Sequence, residues 1–537
     1  MKQIILFFAL LCGGTALAQV QKLGELSSGA FIDSAVIMED DNSNVFGYCL
    51  LYQLDRKSKE VFELEYVVLD KNLNKLTSVS LIQGAFKYTL AKTRTELTFV
   101  KKIGSQLTVG VNDRKVNIDY YDVMPFFNYR FVNINLDTFT ASKEYKYEGF
   151  TKKEFEYKTG DKMSFDDVYY LQQLISTKSD YFVSFAITEH NPEKLVASNP
   201  VTYNYKKHQE IKRFVVLDKD LKEVWSKNIN ADKKAALQYE YLDSDDEVLL
   251  LKKLFLKDKI VLKCKSIEVY NIKTGELLGE IKIDDDVYEI DLYSAKIAGG
   301  KLHVFTNTHE KSKKGWDRGY GHLVFDKKTV KETNRDFILW KDLASTIPGL
   351  TENGAVGKDY GFAAQEFILT PKGTLLLVLE GYGFKSGYSP LKRVQSLYAQ
   401  LKEMYLIEFD IDNKIIFSKK IEKQNSVEVY AGITEADMKK YGIFDYMFCQ
   451  KINKDEDFVM YYTLNDQEGT KRKVSKKPLW TLGIISNVSG EYGFETLPLY
   501  GDDLKIYPGL AKNGYIRLLE VNQKTGQAEM RLEKINY

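Results

Sequence analysis

Carboxylates recur along the chain in short clusters: Asp166-Asp167, Asp245-Asp246, Asp284-Asp285-Asp286, Asp359, Asp445 and Asp502-Asp503. Two chemistries suit such clusters. Gathered round one opening they would hold Ca²⁺, a hard cation that takes about six to eight oxygens, with Asp167, Asp246, Asp285 and Asp445 as candidate ligands. Paired at the right separation, they would perform acid–base cleavage of a glycan, but sequence does not give the separation. Against both stands the fact that Asp commonly marks the passage from loop to strand, and no EF-hand spacing is present.

A second group has the opposite charge. Asn204–Arg213, Asn307–Tyr320, Gly381–Arg393 and Asp466–Pro478 together carry 16 Lys or Arg against 5 Asp or Glu, with aromatic residues within and beside them. Tyr205, Lys206, Trp316, Arg318, Tyr382, Tyr388, Lys471, Arg472 and Trp480 could bind an anionic glycan, an acidic peptide or a partner protein by charge and by stacking or cation–π contact. Solvated lysine-rich loops would look the same. The whole chain of 537 residues balances 76 Lys and Arg against 75 Asp and Glu, so no global field draws nucleic acid. No P-loop, GxSxG elbow, HExxH or strand-linked GxGxxG occurs. His309 and His322 bracket a loop with Glu310 and Asp317 and could meet at a metal.

The elements that must position these residues are strands. Tyr, Phe and Trp make up 13% of the chain, and aromatic residues suit pleated, half-buried surfaces. One unit recurs: an apolar strand, an Asp or Asn, a short polar turn, and a second alternating strand. Examples are YVVLDKNLNKLTSVSL (Tyr66–Leu81), FVVLDKDLKEVWSKNI (Phe214–Ile229), IEVYNIKTGELLGEIKI (Ile267–Ile283) and YLIEFDIDNKIIFSKKI (Tyr405–Ile421). A second hairpin generally precedes each, giving four strands, A to D, in an up-and-down meander. The turn residues Asp70, Asp137, Asp218, Asn271, Asp326, Asp410, Asn487 and Asn522 are separated by 67, 81, 53, 55, 84, 77 and 35 residues.

Such units resemble the blades of a β-propeller. The expectation is an all-β chain of about eight four-stranded blades (alternatively seven). The last interval is too short for four strands, so residues near Gln21–Leu26 should complete the last blade and protect its edge. DLKEVW and IKTGELL faintly resemble quinoprotein-type repeats, but the regular docking Trp is missing, so neither quinone cofactor nor dehydrogenase activity is implied. The one break in the pattern is Ser389-Pro390 followed by LKRVQSLYAQLKEM. Its spacing of Leu391, Val394, Leu397, Tyr398 and Leu401 predicts one short helix in a loop.

A meander puts the A–B and C–D turns at one end of each blade and the B–C loops and D–A connectors at the other. The long insertions fall between B and C or between D and A, so one end is elaborated and is the expected working face. The acidic clusters are expected at that same end, where connectors enter strand A.

Lys2, the apolar run Ile4–Leu11 and the small residues Ala16 and Ala18 form a secretory signal over residues 1–18, followed by a single propeller domain over 19–537. No later run is long enough to span a bilayer. The three remaining cysteines, Cys49, Cys264 and Cys449, lie far apart in apolar runs and read as packing residues. The chain thus reads as an exported binding or scaffold protein, periplasmic or extracellular, with a protein or anionic glycan as partner and no cofactor unless Ca²⁺. The alternative is a glycan-active hydrolase or lyase.

Overall fold

The side-chain oxygen of an Asp or Asn at the end of a strand captures the next free backbone N–H groups and so reverses the chain. This device recurs throughout the computed structural model. Asp70 Oδ1 accepts from the amides of Asn72 and Asn74, each at 2.8 Å. Asp218, Asn271, Asp326, Asp410 and Asn522 do the same in their own turns. In the second repeat the accepting residue is Asn135, two positions before the expected Asp137. The left-handed position of these turns is not reserved for Gly or Asn. Leu73 (φ 64°) and Leu221 (φ 59°) occupy it with their side chains buried, so packing offsets the backbone strain.

The structure describes residues 19–40, 42, 44–56, 61–84, 92–116, 127–141, 168–189, 210–229, 236–257, 261–312, 317–357, 360–370, 372–389, 394–429, 432–452, 457–464, 480–500 and 503–536. Their strands form eight antiparallel sheets, the blades of a β-propeller fold. The first seven begin at Ala30, Lys92, Val168, Ala236, Tyr288, Tyr360 and Tyr446, and each takes its strands A to D in chain order. The eighth is composite. Strands A (Leu504–Gly509), B (Tyr515–Asn522) and C (Ala528–Lys534) come from the C-terminus, and strand D is Gln19–Lys22. Closure by the N-terminal segment is therefore as expected, although the strand ends where a short 3₁₀ turn, Leu23–Glu25, begins. The interval of 35 is short because the Asn522 turn joins B to C, not C to D.

The sheets fall into two compact units, one holding blades 1, 2 and 8 and the other blades 3 to 7. Within each unit the core lies between consecutive sheets. Tyr48, Leu50, Tyr52, Val67 and Leu69 of blade 1 pack with Leu519, Met530 and Leu532 of blade 8. Phe305 and Tyr320 of blade 5 pack with Phe362, Phe367 and Leu377 of blade 6. Trp225, at the end of DLKEVW, lies on Gly275 of IKTGELL, where a Cβ would come within 2.7 Å of the ring, and its Nε1 donates to Ile272 O at 2.7 Å. Cys49 is fully buried, and burial pushes its thiol up to about 12.

The helix expected after Ser389 is not formed by the described residues of that segment, which are strand from Val394 onward. Strand B of blade 6 (Leu375–Ser389) and strand C (Val394–Phe409) instead form a long hairpin, and Asn425–Val429 adds to the outer half of strand C. Leu397, Ala399 and Leu401 alternate along one face. Ala399 and Leu401 pack on Ile433, Met438 and Phe444, so pairing on both edges overrides the helical spacing. The described helices lie in D–A connectors: α1 (Trp340–Leu343) after blade 5 and α2 (Glu435–Lys440) after blade 6. Neither is long and apolar enough to cross a membrane. The signal segment, residues 1–18, lies outside the described residues.

Candidate functional site

The described elaborations gather at the B–C and D–A end of blades 5 and 6. In blade 5, strand B ends at His309 and Glu310, strand C begins at Asp317, and α1 follows strand D. In blade 6, the hairpin runs past Tyr382, and α2 lies in the connector that follows. A capping box fixes the start of α2: Thr434 Oγ1 accepts from Asp437 N, and Asp437 Oδ2 accepts from Thr434 N.

At this end a carboxylate–aromatic cluster forms. Burial pushes the Asp317 carboxyl above the usual range and the nearby Glu435 adds to the rise, while the Gly319 amide at 3.0 Å and His309 oppose it. Glu435 accepts from Lys439 Nζ at 2.6 Å and from the Tyr382 hydroxyl at 3.3 Å. Lys439 Nζ sits 4.5 Å over the ring of Tyr293. Tyr293 and Tyr320 are tied to the two backbone groups of Ala364, one donating to its carbonyl and the other accepting from its amide. Trp340 packs edge-on against Tyr320 at 5.3 Å. A carboxyl that burial holds toward its neutral form, with a second carboxyl nearby, is a feature that general acid–base chemistry can use.

Of the basic and aromatic candidates, Arg318 and Tyr382 are seen in full. Arg318 donates to Glu310 through Nε at 2.7 Å and to Glu352 through Nη1 at 2.9 Å, so local carboxylates already engage its charge. Tyr382 is half-buried against Phe444. Tyr388 and Trp480 occupy strand positions whose side chains are not described, and Tyr205, Lys206, Trp316, Lys471 and Arg472 lie outside the described residues. Much of two of the expected basic loops, Asn307–Tyr320 and Gly381–Arg393, is strand.

The acidic candidates do not share one end. Asp246 sits in the A–B turn of blade 4, opposite the expected end, because Ala236–Ser244 forms a strand A that the repeat pattern did not reveal. It lines an open cleft of about 390 Å³ with Lys273 and Lys328. Asp285 is at the expected end; burial pushes its carboxyl up, but the Tyr288 amide, Arg335 Nη1 and the Val287 amide together hold it below the usual range. Asp445 is buried, with its oxygens on Lys423 Nζ at 2.7 Å and Asn425 Nδ2 at 3.0 Å. Asp167 lies outside the described residues. Among the described residues no three His, Cys, Asp or Glu are gathered as a metal requires.

Sequence reasoning missed that Glu435 comes near enough to act electrostatically on Asp317, since 118 positions separate the two residues. It also mispaired the histidines. His322 lies opposite Phe305 and meets His303, Nδ1 to Nε2 at 3.0 Å, while His309 Nε2 is 3.8 Å from Asp291. Burial pushes His303 down to about 4 and His322 to about 3, so both rings are neutral at pH 7. Their folded values lie below the unfolded value of about 6.5, so their contribution is full above that pH and is lost as pH falls toward 4. Urea unfolding should show about 2–4 kcal/mol less stability at pH 5 than at pH 7, and His322→Phe should flatten that slope. An unchanged slope would remove the pair from the account.

The sheets define the chain as a β-propeller protein with an elaborated, acid- and aromatic-rich end on blades 5 and 6. No protein-family model and no curated protein matches the chain. Among solved structures it is similar to hydrazine synthase of Kuenenia stuttgartiensis, at 12% identity and a TM-score of 0.33, over 68% of this chain and 80% of that one. It is likewise similar to the β-propeller domain of the Trilobed protease of Pyrococcus furiosus, at 11% and 0.32, over 84% and 97%. A third is the apocarotenoid oxygenase of Synechocystis, at 7% and 0.31, over 57% and 61%, so that the match spans less than two thirds of the oxygenase. None of these likenesses lends the chain an activity.

Proposed function

We propose that the chain is an exported binding or scaffold protein whose working face is the B–C and D–A end of its blades, with a protein or anionic glycan as partner. The observation that carries this reading is the uneven elaboration of blades 5 and 6. The long hairpin, its added strand and both helices lie at that end, whereas the A–B turns Gly299-Gly300 and 370–374 at the other end are short. The elaboration also presents exposed aromatic groups, Phe384 on the hairpin and Tyr441 after α2, both suited to a partner surface. Arg318 and Lys439 are already paired, which favours a protein over a polyanion among the described groups.

The second reading, a glycan-active hydrolase or lyase, rests on the raised carboxyl of Asp317 beside Glu435. One experiment separates the two. Capture from envelope extract should be lost in a Phe384→Asp, Tyr441→Asp variant and kept in Ile411→Asp, which changes an exposed C–D turn at the opposite end. The reverse pattern would overturn the binding face. Turnover of any member of a glycan panel, abolished in Asp317→Asn, would install the enzyme reading instead.

A further inference from the structure

We propose that Arg517, Tyr48 and Ser34 form a site for a small monovalent anion between blades 8 and 1. Arg517 is on strand B of blade 8 and is only 9% exposed. It lies opposite Gly509, where a Cβ would come within 2.4 Å of Nη2; the missing side chain lets the guanidinium rest against strand A.

Among the described residues the charge has no ionic partner. A guanidinium does not give up its proton, so a buried one must be matched by an anion or by a full set of acceptors. Among the described residues no carboxylate lies within ion-pair distance of Arg517. Asp33 is close enough to be felt electrostatically, but its oxygens are occupied by the amides of Ser34 at 2.8 Å and Leu97 at 2.9 Å. Nη1 has one long contact, 3.3 Å to Ser34 Oγ, and Nε has none although it is shut off from solvent.

Tyr48 repeats the deficit. Its ring faces the guanidinium, 5.8 Å from centroid to Cζ, and its hydroxyl is buried with no hydrogen-bond partner among the described residues. The Nε–H of Arg517 and the hydroxyl of Tyr48 are thus left without an acceptor among the described residues, beside a positive charge that no described carboxylate pairs. A water molecule would fill the hydrogen bonds and leave the charge unmatched, whereas a small anion answers both needs. One positive charge suits a monovalent anion such as a halide, nitrate or formate better than a divalent one, which would bring in a new unmatched charge. This inference is independent of the function proposed above.

The test is thermal unfolding at constant ionic strength in sodium gluconate, with chloride, bromide or nitrate exchanged in. The wild-type protein should show a saturable rise in melting temperature. Tyr48→Phe should need about tenfold more anion for half the effect, and Arg517→Met should not respond. Should Arg517→Met fail to fold, the displaced midpoint of Tyr48→Phe carries the test. A response that is linear in concentration, or the same midpoint in wild type and Tyr48→Phe, would overturn the site.

Discussion

Replacing Lys423 by methionine should cost about 3–5 kcal/mol of stability, an unusually large effect for one substitution. Lys423 follows strand D of blade 6, and its ammonium is fully buried between Glu380 of strand B and Asp445 at the entrance to blade 7, with both N–O distances 2.7 Å. The Asp445 and Tyr446 amides donate to Glu380 as well, at 3.0 and 3.1 Å. Two carboxylates are thus held by one cation and two backbone N–H groups. Burial already pushes the Glu380 carboxyl upward. Without the ammonium, one carboxylate must take up a proton or the connector must open to water. The triple change Glu380→Gln, Lys423→Met, Asp445→Asn should recover most of the loss, because it removes the charges together with their desolvation cost while the amide oxygen at position 380 can still accept from the two backbone N–H groups. Urea midpoints of the three proteins decide the matter. A loss below about 1 kcal/mol in the single variant would mean the group is solvated and the connector is not fastened there.

What could be read before the structure follows the range of the forces involved. The Asp and Asn turns act over two to four residues, so the hairpins and their number were visible in segments such as DKNLNK and IKTGEL. The composite eighth blade was visible for a different reason, since a short last interval leaves an edge that something must cover. The hairpin of blade 6 was hidden because the segment from Leu391 to Leu401 satisfies a helical period as well as an alternating one. Strand pairing with residues 382–389 and 425–429 decides between them, and sequence does not display pairing. The same limit hid strand A of blade 4 and put Asp246 at the wrong end. Long-range electrostatics was least legible. Lys423, Arg517 and Asp317 are ordinary charged residues in the sequence, and only burial beside specific neighbours gives each its character.

A chain lacking Gln19–Leu26 should lose about 5 kcal/mol or more, and its melting temperature should fall by roughly 10 °C or more. The deletion removes the whole of strand D of blade 8, which pairs Gln19 to Lys22 with Leu532 to Glu529. It also removes Leu23, fully buried, whose carbonyl accepts from the Tyr52 hydroxyl at 2.8 Å. Leu23 alone accounts for about 2–5 kcal/mol by the usual cost of emptying a leucine site, so Leu23→Ala is the milder check. The remaining cost has two sources. Strand C, Ala528–Lys534, becomes an unpaired edge, and Met530 and Leu532 lose cover on the core shared with blade 1. If closure is the cause, the peptide QVQKLGEL added in trans should restore part of the melting temperature of the truncated chain by reforming strand D, and a scrambled peptide should not. A truncated chain that melts with the full one would mean that blade 8 stands without its N-terminal strand, and the closing role of residues 19–26 would have to be given up.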